Sequence, residues 1–269
     1  MAGCSTVDST SAASFGSAAT ATSQQADTTF ATVNAITSQS VIAHAAKQSR
    51  LNPANFYQVF PTQSINQWDS AFSAMASYAQ ALTTLSAPGT NETAPAAIST
   101  LASGITTQAN TEMPPGLSTA FVTIATALEK AKFGHDAYGV AVTADPTIQD
   151  IIKTMTDLIG SSNKEGLRKT VEANYHNVMM SSLEISFPSA SASEKLTMAK
   201  QYSTALDQQA AADLQLASLR TSIIALGNAH HAIATKSPID FTTALATINQ
   251  QLALAQKAFS DVKTPSTGK

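Results

Sequence analysis

Residues 193–235 read SEKLTMAKQYSTALDQQAAADLQLASLRTSIIALGNAHHAIAT, and their spacing decides the fold. Met198, Tyr202, Ala205, Gln209, Ala212, Leu216, Leu219, Ile223, Leu226, His230 and Ile233 recur alternately four and three residues apart, which places them in one seam along a helix. The stretch contains no proline and a single glycine, Gly227. About 43 residues at a rise of ~1.5 Å would make a rod on the order of 65 Å long. Such a rod needs a partner, and the next segment offers one. Phe241, Leu245, Ile248, Leu252, Ala255, Phe259 and Val262 repeat the same spacing. Between the two lies Ser237-Pro238-Ile239-Asp240, in which Ser237 can cap, Pro238 suits the first helical position and Asp240 can reach back to the cap. The pattern predicts an antiparallel helical hairpin.

Working outward, the preceding chain repeats this logic. A helix is expected from about Ala18 to Arg50 through Phe30, Val33, Ile36 and Val41, followed by a turn at Leu51-Asn52-Pro53 and an aromatic connector ending at Pro61. Ser64 and Gln67 form a capping-box pattern ahead of Ile65, Trp68, Phe72, Met75, Ala79 and Leu82, and Ala87-Pro88-Gly89 ends that helix. A third helix is expected over 94–112 and a fourth from Leu117, broken near Phe133-Gly134-His135-Asp136. Asp145-Pro146 predicts the start of a fifth, with Asp145 as its cap and Ile148, Ile152, Met155 and Ile159 in its seam. At 160–165 two readings stand, a break with Ser162 and Glu165 as a capping box, which is favoured, or one continuous helix that tolerates Gly160 and Gly166. One further helix then carries Leu167, Val171, Tyr175, Val178 and Ile185 to Phe187-Pro188. No segment alternates with period two. The expected fold is all-α, an elongated up-and-down bundle of about six to eight helices with heptad-like seams. It spans 18–263 as one domain, or as two packed sub-bundles, 18–143 and 146–263, with a disordered tail at 264–269.

Composition narrows function. Of the 269 residues, 43% are hydrophobic but only 6% aromatic, so the apolar set is mainly small and aliphatic and suits close helix packing. Charged residues make up 12%, about half the usual share. A net charge of −3 without a basic cluster excludes the electrostatic footprint of nucleic-acid binding. No apolar run approaches the ~18 residues of a membrane-spanning helix.

The one cysteine, Cys4, sits in Met1-Ala2-Gly3-Cys4-Ser5. Ala-Gly-Cys resembles the processing site of bacterial lipoproteins, in which the cysteine becomes the lipidated first residue. The likeness covers these few residues, and Met1 stands where such motifs usually carry leucine. The resemblance implies a lipid anchor at Cys4, and the serine after it implies sorting to the outer membrane. Ser, Thr, Ala and Gly dominate 5–17, so residues 1–17 are expected to form the anchor and a flexible tether.

Catalytic signatures are missing from the sequence: it has no glycine-rich phosphate loop, paired-cysteine motif, His-Glu-x-x-His helix or Gly-x-Ser-x-Gly elbow. His230 falls on the long seam with His231 beside it, and His176 follows Glu172 by four residues on one helical face. These four are the candidate ligand or metal residues. The simpler expectation for His230 and His176 is an imidazole hydrogen-bonded across a seam. Neither copy of the Glu-x-x-His motif of dimetal bundles is present, so no metal or cofactor is expected. Gln209 is expected to fix register between helices. The expected function is a non-enzymatic, lipid-anchored cell-envelope protein on the periplasmic face of the outer membrane. It would bind or scaffold a protein partner or envelope assembly, and homo-oligomerisation is compatible with the seams. The alternatives are a helical-bundle carrier of a small ligand or metal, and a secreted coiled-coil effector or adhesin.

Overall fold

A computed structural model of the protein describes residues 9–46, 50, 52–53, 56, 58–87, 93–110, 113–114, 116–133 and 136–263. Among these there is no strand. The helices are α1 (Ser9–Ala45), α2 (Thr62–Ser86), α3 (Ala94–Asn110), α4 (Ser118–Ala131), α5 (Ala137–Ile159), α6 (Gly166–Tyr175), α7 (Ser181–Ser186), α8 (Ala192–Thr235) and α9 (Pro238–Lys263). A π-turn, His176–Met180, runs α6 into α7 as one rod. The described residues therefore form eight rods, an all-α architecture as the seams predict.

The long helix α8 organises the rest. A capping box closes its start, with Ser191 and Glu194 satisfying each other's backbone. Its end turns through Lys236 in the left-handed region (φ 57°), where the Lys236 and Ser237 N–H groups bond back to the last carbonyls. Pro238 then opens α9, which returns antiparallel, and Gln215 of α8 donates its amide to the Ala255 carbonyl of α9. α5 and α6 lie end to end along α8. Gln149 donates to the Gly227 carbonyl at 3.0 Å, Arg220 to the Thr156 carbonyl at 3.3 Å, and Arg168 pairs with Asp213 at 2.7 Å. The bend between α5 and α6 uses Gly160 at φ 96°, a conformation only glycine adopts without strain. α1 also runs antiparallel to α8, with Phe15 against His230, and α2 packs on α1 through Phe30, Phe60, Trp68 and Phe72. Buried side chains from Ala12 to Ile248 form one continuous core that takes members from both stretches offered above as sub-bundles.

Gly227 marks a close approach of α8 to α5. A Cβ there would lie 2.9 Å from Ile152 Cγ1 and 3.1 Å from Cγ2. Replacing hydrogen by carbon would push the two helices apart.

Several boundaries differ from expectation for physical reasons. The tether assigned to 1–17 is helical from Ser9, because Ala12 and Phe15 are fully buried on the core face of α1; residues 1–8, and Cys4 with them, lie outside the described residues. α5 starts at Ala137 instead of Asp145. The Asp136 carboxylate accepts the Gly139 N–H at 2.7 Å as its cap, and Ala137, Val140, Ala141 and Ala144 extend the buried face through Pro146. α2 begins at Thr62, before the Ser64 and Gln67 pattern, and Glu165 precedes α6 without a side-chain cap bond to it, because its carboxylate accepts from Ser161 instead of completing a capping box with Ser162. Gln209 is half-buried, while Gln208 and Gln215 are the glutamines of α8 turned inward. Ile185 is 79% exposed instead of lining a seam. The side chains of Val178, Phe259 and Val262, His135, and the tail 264–269 lie outside the described residues.

Candidate functional site

The seam of α8 carries His230 into the upper core, where α1, α2 and α5 meet it. Tyr78 of α2 approaches from one side, its Oη 2.7 Å from His230 Nε2. Asp145 of α5 approaches from the other, with Oδ1 2.9 Å from His230 Nδ1. Its second oxygen, Oδ2, lies 2.7 Å from His231 Nδ1, and Gln149 Nε2 donates to Oδ1 at 3.1 Å. The same Gln149 amide reaches the Gly227 carbonyl at 3.0 Å and so ties α5 to α8 one turn before His230. The Phe15 ring of α1 closes over the imidazole at a centroid distance of 5.6 Å. Tyr78 and His230 are 0% exposed, the Asp145 side chain 14% and that of His231 58%, so the chain of contacts runs from the core to the surface.

The protonation states follow from this geometry. Burial pushes the His230 imidazole below its ordinary range against the pull of Asp145, so it is neutral near pH 7. Burial alone would raise Asp145, but hydrogen bonds from His230, His231 and Gln149 outweigh it and hold the carboxyl well below the usual carboxylate range. A carboxylate only accepts, so the His230 proton sits on Nδ1 and Nε2 accepts from Tyr78. Tyr78, pushed far above the ordinary phenol range by burial and then by the Asp145 charge, keeps its proton and donates. Every hydrogen bond points the same way, from Tyr78 through His230 to Asp145. One buried negative charge is met by three donors, which is how an ion becomes tolerable at that depth.

Among the expected ligand residues, the structure brings His230 and His231 together through Asp145, and leaves Glu172 and His176 elsewhere. Glu172 is half-buried on α6, and His176, the first residue of the π-turn, is exposed. Arg168, one turn before Glu172, pairs with Asp213, which at ~1.5 Å per residue is about 25 Å along α8 from His230. Both nitrogens of His230 are engaged, so a metal would have to displace Tyr78 or Asp145. Among the described residues no group of three His, Cys, Asp or Glu side chains is placed to hold an ion. His231 lines an open pocket of about 330 Å³ between α8 and α9, together with Asn228 and Asp240.

Sequence reasoning finds the two histidines and misses their partners. Asp145 resembles a helix cap because proline follows it, and Tyr78, three residues after Met75, lies on the same inward face as the seam without belonging to its spacing. No protein-family model, no curated protein and no solved structure matches the chain.

Proposed function

We propose that the chain is a non-enzymatic, lipid-anchored cell-envelope protein that binds or scaffolds a protein partner through its helical surfaces. In this proposal Cys4 takes the acyl anchor at the periplasmic face of the outer membrane. The observation that carries the binding half is the junction between α7 and the first turns of α8. Ile185, Phe187 and Leu196 stand 79%, 41% and 60% exposed there, while the other end of α8 is enclosed on nearly every face. At ~25 cal/mol per Å² of apolar area, covering such side chains is a gain that a partner can supply. The non-enzymatic half is supported by the enclosure of His230, whose two nitrogens are occupied and which no substrate atom can approach without opening α1.

The test is a photo-activated cross-linking side chain placed at Leu196 and, as control, at exposed Ser103 on α3, in the source cells. A discrete protein adduct at position 196 and none at 103 supports the scaffold. Adducts at neither position, or the same set at both, contradict it. Intact mass of the cell-derived protein checks the anchor separately, since a free Cys4 thiol would remove that half of the proposal.

A further inference from the structure

From Ala192 to Thr204 no side chain of α8 is buried, and Ala205 is the first of the helix to reach the core. So short a helical stretch is marginal in water without packing. Its outward side is nevertheless apolar, with Leu196, Leu206 and Leu214 standing 60%, 46% and 44% exposed. At ~100° per residue, Ala192, Leu196, Ser203, Ala210 and Leu214 fall within about 20° of one line, with Ala199 and Leu206 to one side of it. Lys200 and Asp207, both exposed, border the stripe on the other side. α7 flanks it on the Leu206 side, where Tyr202 donates to Glu184 at 2.7 Å and the Lys195 ammonium lies over the Phe187 ring.

Among the described residues the other charges around this face are spoken for or lie apart. Glu194 serves the helix cap, Lys195 covers Phe187, Glu184 accepts from Tyr202, and Asp213 pairs with Arg168. That pair brings α6, with Lys169 and Glu172, to the Leu206 side. On the Lys200 side, α9 brings Lys257 about level with Asp213, and Lys257 is already engaged. Lys200 and Asp207 remain, of opposite sign and seven residues apart on one edge.

We infer that a second copy of this chain packs on this face of α8, antiparallel, about a two-fold axis level with residues 203 and 204. The inference rests on reading the junction of α7 and α8 as a binding surface, and it names the partner. A two-fold between antiparallel helices brings like edges together, so Lys200 of each copy meets Asp207 of the other, twice over. A parallel pair would set Lys200 against Lys200. The same axis sets each leucine opposite an alanine: Leu196 at Ala210, Leu206 at Ala199 and Leu214 at Ala192. Large against small lets two helices approach closely. Leu206 of the other copy also arrives beside Ile185 and Phe187, which covers the exposed side chains of α7. One register satisfies both the charges and the side-chain sizes, and this self-complementarity selects a second copy over an unrelated helix.

Sedimentation equilibrium of the intact protein over a range of concentrations tests this, with Lys200→Asp and Asp207→Lys made at exposed positions that the fold does not use. The wild type should reach twice the monomer mass. Each single swap turns both ion pairs into like-charge pairs and should weaken dimerisation about tenfold. Mixing the two variants restores opposite charges at both contacts, so the mixture should dimerise as tightly as the wild type. A wild type that stays monomeric, or a dimer indifferent to both swaps, overturns the inference. A monomer whose position 196 still gives an adduct with a different protein overturns the second copy and leaves the scaffold reading standing; a monomer with no adduct overturns both.

Discussion

His230 Nδ1 lies 2.9 Å from Asp145 Oδ1, joining residues 85 apart in the chain, and the second imidazole nitrogen is 2.7 Å from Tyr78 Oη. The imidazole is a bridge between α2 and α5 inside the core that α8 organises. Removing either neighbour leaves a buried polar group without its partner. A lone core imidazole would cost about 1 kcal/mol to replace, and the bridge raises that figure.

Tyr78→Phe removes only the hydroxyl and leaves His230 Nε2 as an unmet acceptor. It should lower unfolding free energy by about 1 to 2 kcal/mol, and His230→Leu by about 2 to 5, since that change strands both the phenol and a carboxylate. Chemical denaturation of the two single variants and the double variant should give a coupling above ~0.5 kcal/mol. Simple additivity would mean that the hydrogen bond contributes nothing.

Gly227→Ala pits a helix-propensity gain of ~1 kcal/mol against a methyl group driven into Ile152, whose branched side chain has little freedom to give way. Steric cost should win, with a net loss of about 1 to 2 kcal/mol. Pairing the change with Ile152→Ala should recover part of that loss. A more stable Gly227→Ala protein would show that the two helices do not meet there.

Leu219 and Ile223 are 0% exposed and sit where α8 meets the rest of the core, so truncation of either to alanine should cost about 2 to 5 kcal/mol. Leu252 on α9 is only half-buried and should cost about 1 kcal/mol. Costs under ~0.5 kcal/mol at both Leu219 and Ile223 would refute the packing of the hairpin.

Acid should weaken the fold through two members of the network. Asp145 is held below its usual range, so its contribution is present above about pH 4 and is lost as pH falls through the folded value. His230 is held below its ordinary range by burial, so its contribution is complete above about pH 6.5 and falls as the imidazole is forced to take a proton. Asp145→Asn should lower the melting temperature at pH 7 and flatten its decline below about pH 4. An acid limb as steep as that of the wild type would place the acid sensitivity elsewhere.

The architecture was legible in the sequence wherever a long seam ran uninterrupted. The α8 pattern starts at Ser193 against an observed Ala192, and Pro238 opens α9 as its position suggests. Local signals failed where tertiary packing overrode them. Ser5 to Ser17 resemble a linker by composition, yet small residues on both sides of Phe15 let α1 lie close to α2, and Gly16 comes within 3.8 Å of Ala79 at the position a Cβ would take. Asp145-Pro146 has the form of a helix start, yet Asp136 nucleates the helix nine residues earlier. At the candidate site, His230 and His231 could be found from the seam. Their dependence on Asp145 and Tyr78 could not, because it arises from three helices meeting side by side.

Nitrogen-15 NMR of the histidine rings in the intact protein, from pH 6 to 8, with and without excess zinc or haem, tests the enclosed network most directly. The account predicts a His230 ring protonated at Nδ1 and accepting at Nε2, with signals unmoved by either additive. A His230 signal that shifts or broadens with one equivalent of zinc or haem, and a bound ligand that His230→Leu abolishes, would contradict the scaffold and establish a carrier.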